Sequence, residues 1–97
     1  MVRSISSPKA SYDDLADVFY LTLATEKIGR YHEDERGLVW RYSKSGKAIG
    51  VTVQGYAHLW RGQQRALATV IGHELHLDPV DVVKTFPVNL PDWLPEP

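Results

Sequence analysis

Apolar and polar residues alternate with a period of two through the first half of the chain, then change to a helical period in the second. Along Asp17-Val18-Phe19-Tyr20-Leu21-Thr22-Leu23, one side collects Phe19, Leu21 and Leu23 and the other Val18, Tyr20 and Thr22. Residues 37–42 set Leu38, Trp40 and Tyr42 against Val39 and Arg41. Residues 48–53 set Ile49, Val51 and Val53 against Ala48, Gly50 and Thr52. β-Branched and aromatic residues dominate all three runs, as half-buried pleated surfaces favour. Each run is therefore predicted to be a strand.

The connector Ser43-Lys44-Ser45-Gly46-Lys47 supplies a glycine where a tight turn needs positive φ, which predicts an antiparallel hairpin over 37–54. The longer, charged link from Ala24 to Arg36 has room for a short edge strand around 28–32, and Tyr12 can open another before the turn at Asp13-Asp14-Leu15-Ala16. The expected sheet has three or four strands. An isolated small sheet is marginal in water, so its apolar side needs a cover. Residues 63–77 provide one, with Leu67, Val70, Ile71 and Leu75 forming a single stripe at helical period. Asp78-Pro79-Val80-Asp81 then reads as the start of a second helix: Asp78 caps, Pro79 suits the first position, and Asp81 adds first-turn negative charge. That helix is expected to reach about residue 85, before Pro87 stops it; Pro91, Pro95 and Pro97 mark an extended tail.

The expected architecture is thus α+β: one domain over 1–97, a sheet unit at 10–60, helices at 61–86 and a proline-rich tail at 87–97. Val18, Tyr20 and Val39 make the second side of the sheet more apolar than a plain solvated surface. An exposed apolar patch marks an interface, so these three, together with Trp60 and Trp93, are the candidate contact residues for a homodimer or a small protein partner.

Composition narrows the remaining classes. The chain has 97 residues, 11 Lys+Arg against 12 Asp+Glu, and no cysteine. Disulfides and thiolate metal sites are excluded, and a reducing, cytoplasmic setting is expected. No apolar run follows Arg3, so neither a signal peptide nor a membrane span is expected. The basic residues are dispersed and often beside acids, as in Glu33-Asp34-Glu35-Arg36, which gives no footprint for nucleic acid.

Tyr12-Asp13-Asp14-Leu15-Ala16-Asp17-Val18-Phe19-Tyr20-Leu21 resembles the opening of DUF2283, a family of small bacterial and archaeal domains of unknown function; Tyr12, Asp13, Ala16, Asp17 and Tyr20 carry the match. The hairpin with Gly46 is similar to the family's second half, and the resemblance spans about half the chain, near 10–60. It implies a compact sheet-plus-helix domain and, because some members sit beside small toxin-like proteins, an antitoxin-like or partner-binding role.

Chemically suggestive residues have plain alternatives. His73 and His76, three apart on a helix, are the weak candidates for a metal-dependent enzyme, with Glu74 or Asp78 as further ligands; the competing reading is two solvated imidazoles, and no metal or other cofactor is expected. Tyr12, Asp13 and Asp17 are read as structural turn residues rather than as a catalytic carboxylate group. No phosphate-binding glycine loop and no nucleophile with an attendant base is present, so a non-enzymatic interaction module is the expectation.

Overall fold

The computed structural model describes residues 8–23 and 26–88. Five strands form one antiparallel sheet: β1 (Lys9–Asp13), β2 (Val18–Thr22), β3 (Ile28–Glu33), β4 (Leu38–Ser43) and β5 (Ala48–Gln54). Their order across the sheet is β1-β2-β5-β4-β3. Three helices follow: α1 (Tyr56–Trp60), α2 (Gln64–Leu75) and α3 (Pro79–Val83). The α+β class is as expected, but the sheet has five strands rather than three or four, because both short edge segments pair. β1 lies along β2, with Tyr12 opposite Phe19, and β3 lies along β4, with His32 opposite Trp40.

The hairpin joins β4 to β5 through the predicted turn. Gly46 takes φ +91° there, and its amide donates to the Ser43 carbonyl at 2.9 Å. The non-local pairing of β2 with β5 puts β5 at the centre of the sheet.

Alternation sorts the side chains as the pattern requires. Phe19, Leu21, Leu38, Trp40, Val51 and Val53 are buried on one face, where they meet Leu67, Ala68, Ile71 and Leu75 of α2. Val70, at the margin of that stripe, is only partly buried. Burial of a large aliphatic side chain is worth about 1.5–3 kcal/mol, and Leu21, Val51, Val53, Leu67 and Ile71 are all fully buried in this seam. Around it Tyr12, Phe19, Tyr56 and Phe86 form a tilted and edge-to-face aromatic group with ring centroids 5.3–5.7 Å apart.

Two boundaries differ from expectation. Residues 56–60 are helical instead of belonging to the sheet unit, and α3 ends at Val83, with turns continuing it to Phe86. The predicted cap of α3 is present: Asp78 Oδ1 accepts from the Val80 amide at 2.9 Å.

Candidate functional site

Three groupings of polar and aromatic residues stand out. The first is structural in its geometry. Asp17, only 5% exposed, holds φ at +58°. Its Oδ1 accepts from the Tyr12 hydroxyl at 2.6 Å and from the Ala57 amide at 2.8 Å, and its Oδ2 accepts from the His58 amide at 3.0 Å. Its main-chain carbonyl takes the Gly55 and Tyr56 amides. One residue forty positions upstream therefore caps the first turn of α1, satisfying donors that no local side chain reaches. Burial, the hydrogen bond to Asp17 and the Asp17 charge together push the Tyr12 hydroxyl far above the ordinary tyrosine value. Asp13 Oδ1 accepts from the Leu15 and Ala16 amides, both at 3.1 Å, and closes the turn before Asp17.

The second grouping is the sheet face opposite the helices, which no described residue covers. Cross-strand register places Ser11, Tyr20, Thr52, Val39 and Glu33 in one row, and Lys9, Thr22, Gly50, Arg41 and Tyr31 in the next. Arg41 does not project into solvent. Its guanidinium lies across Gly50, where a Cβ would collide with Nη2. Nη1 donates to Thr52 Oγ1 at 2.6 Å, and Nη2 donates to the Leu21 carbonyl at 3.0 Å and to Thr22 Oγ1 at 3.1 Å. Burial lowers the guanidinium's pKa, yet arginine stays charged in proteins. Tyr20 is 38% exposed and Tyr31 63%; Val18 and Val39 are half-buried. The face is amphipathic, with a fixed cation at its middle, rather than simply apolar.

The third grouping is a cleft of about 570 Å³ between β3–β4 and α2. It arises because α2 seals the middle strands and stops short of the sheet edge: every residue of β3 is exposed, including Arg30 and His32 on the helix side. One wall carries His32, Asp34 and Arg36, the other Thr69, Val70, His73 and Glu74, and Trp40 and Tyr42 lie at the base. Asp34 Oδ1 accepts from the Arg36 and Leu38 amides; Oδ2 accepts from Arg36 Nη1 at 2.9 Å and from the Trp40 indole N–H at 3.1 Å. Burial alone would raise the Asp34 carboxyl, but these hydrogen bonds and the Arg36 charge outweigh it and hold it below its usual range. The Tyr42 hydroxyl donates to Glu74 Oε2 at 2.7 Å, joining sheet to helix. Burial and that bond push it up to about 12. The Arg30 guanidinium stacks 4.1 Å above the Tyr42 ring.

The structure brings Val18, Tyr20 and Val39 together on the open face. Trp60 is elsewhere: it ends α1 and packs at the margin of the core, on the helix side. Trp93 lies outside the described residues. His73 enters the cleft, but His76 is not among its lining residues: it terminates α2 with φ +59°, its amide donating to the Gly72 carbonyl. Among the described residues, no three His, Cys, Asp or Glu side chains stand together to hold a metal ion. No described helix is long and apolar enough to cross a membrane.

A five-stranded antiparallel sheet with helices on one face and an open, arginine-centred second face defines a small α+β domain. Residues 9–55 match the model of DUF2283, a protein of unknown function, so the segment from the first residue of β1 to the residue after β5 belongs to that family. The match stops short of 60 and leaves all three helices outside it. No curated protein and no solved structure gives a significant match to the chain.

Proposed function

We propose that the protein is a non-enzymatic interaction module that pairs with a second copy of itself through the open sheet face. The observation that carries this reading is the uncovered surface made by Val18, Tyr20, Val39 and Tyr31 around the immobilised Arg41. Tyrosine and arginine are the residue types that dominate binding energy at protein contacts, and here the arginine's side-chain entropy is already spent in the free chain.

Charge placement favours a second copy. Lys9 lies on the β1 edge of this face and Glu33 on the β3 edge, at opposite ends of the strand order. Two sheets stacked about a two-fold axis along the strands set β1 of one copy over β3 of the other, so Lys9 approaches Glu33 twice, as an isologous contact requires. A two-fold across the strands instead stacks β4 on β4 and brings Arg41 toward Arg41. Stacked sheets stand about 10 Å apart, within reach of these long side chains.

Sedimentation equilibrium tests the reading. A dimer is expected in the micromolar range; Lys9→Glu and Glu33→Lys each weaken it, and the double variant restores it. A wild-type chain that remains monomeric at hundred-micromolar concentration contradicts self-association, and a dimer indifferent to both charge reversals contradicts the orientation.

A further inference from the structure

The cleft between β3–β4 and α2 carries a separate inference, independent of the open face. Its hydrogen-bonding inventory is unbalanced. A carboxylate offers about four lone-pair sites, and Asp34 fills four: two with main-chain amides, one with Arg36 and one with the Trp40 indole. As an acceptor it is saturated. Arg36 uses one of its five side-chain N–H donors on Asp34 and is 48% exposed. The His32 and His73 imidazoles, one on each wall, have no hydrogen-bond partner among the described residues. On the acceptor side, Glu74 keeps Oε1 beyond its bond to Tyr42. The apolar lining is Trp40 and Tyr42 at the base and Val70 on the α2 wall.

A volume of about 570 Å³ falls within the range of small-molecule sites, roughly 300–1,000 Å³. The geometry points to a binding site for a small organic anion, a carboxylate or phosphate monoester with a flat apolar body. The acid group would lie against Arg36 and the two imidazoles, and the body over Val70 and the exposed edge of Trp40, because the Tyr42 ring already carries the Arg30 guanidinium. Tyr42 and Asp34 act as positioning residues: the first ties the sheet wall to α2 through Glu74, the second fixes Arg36 and the Trp40 ring. The site uses side chains from both the sheet and α2, so the sheet unit alone would not form it.

Amide and indole NMR titration of the full chain with benzoate and with phenyl phosphate tests this, using inorganic phosphate and benzyl alcohol as controls. Saturable shifts are expected at His32, Arg36, the Trp40 indole and residues 69–74, with at least one aromatic anion; the tighter of the two identifies the acid group. Arg36→Gln keeps the main-chain amide that Asp34 accepts and is expected to weaken binding about tenfold, the worth of a charge-assisted hydrogen bond. His32→Ala and His73→Ala replace exposed side chains, leave the fold intact and weaken it severalfold. The proposal is overturned if neither anion saturates, if benzyl alcohol or inorganic phosphate alone produces the same shifts at the same affinity, or if binding is unchanged in both Arg36→Gln and His73→Ala.

Discussion

Adjacent residues of the same strands build two unlike surfaces on this sheet. Phe19, Leu21, Val51 and Val53 meet α2 and are wholly excluded from water. One position along, Tyr20, Thr22, Thr52 and Gly50 form a face on which the longest side chain, Arg41, lies down instead of standing up. The first surface gains its stability from area, without direction. The second is held by directed hydrogen bonds and keeps tyrosine and valine surface available. The contrast predicts that stability rests on the sealed side and that the open side tolerates changes of chemistry with a smaller effect on folding.

The sharpest way to break that contrast is to damage the sealed side. Ile71→Ala, at a fully buried position, should cost about 2–4 kcal/mol by loss of transfer energy and cavity formation, read from urea denaturation. Asp17→Ala comes next. It removes the cap of α1 and leaves an alanine at positive φ, for an expected loss of about 2–3 kcal/mol. Asp17→Asn, which tolerates that backbone and keeps one acceptor, should lose less.

On the open side, Gly50→Ala should displace the Arg41 guanidinium, because the new methyl occupies its place. The arginine can swing away, so the cost should stay near 1 kcal/mol and be matched by Arg41→Ala; a loss as large as that of Ile71→Ala would erase the distinction between the faces. The smallest effect is a pH dependence. Tyr42 is neutral and donating in the folded chain, and its pKa rises from 10.0 to about 12. Its contribution is fully present below pH 10, where the unfolded chain is also neutral, and is lost as pH climbs from 10 through about 12. Denaturation midpoints across that window should fall less steeply in Tyr42→Phe.

Legibility from the sequence followed the range of each signal. The hairpin was readable because alternation and Gly46 act locally, and so was the apolar stripe of α2, since Leu67, Ile71 and Leu75 repeat at one period. The edge strands were weak: β1 and β3 are short and polar, and they exist because neighbouring strands offer unpaired main-chain groups. α1 was not readable at all. Five residues show no periodicity, and its start signal is Asp17, far upstream. Parity places Arg41 on the correct side, while its flattening is signalled only by Gly50 opposite it in a strand interior, a mark of close approach. The cleft was invisible for a simpler reason: His32 and His73 come from different elements, and only the overhang of β3 beyond α2 joins them.

The open face is proposed as a contact surface for a second copy that the fold itself does not require. Light-scattering mass of the wild type and of Val39→Asp, with unfolding curves recorded on the same samples, addresses it directly. We predict a dimeric wild type and a folded, monomeric Val39→Asp that loses about 1–2 kcal/mol, because the new carboxylate faces Glu33 across the strands. A monomeric wild type, or a Val39→Asp chain that remains dimeric, would contradict it.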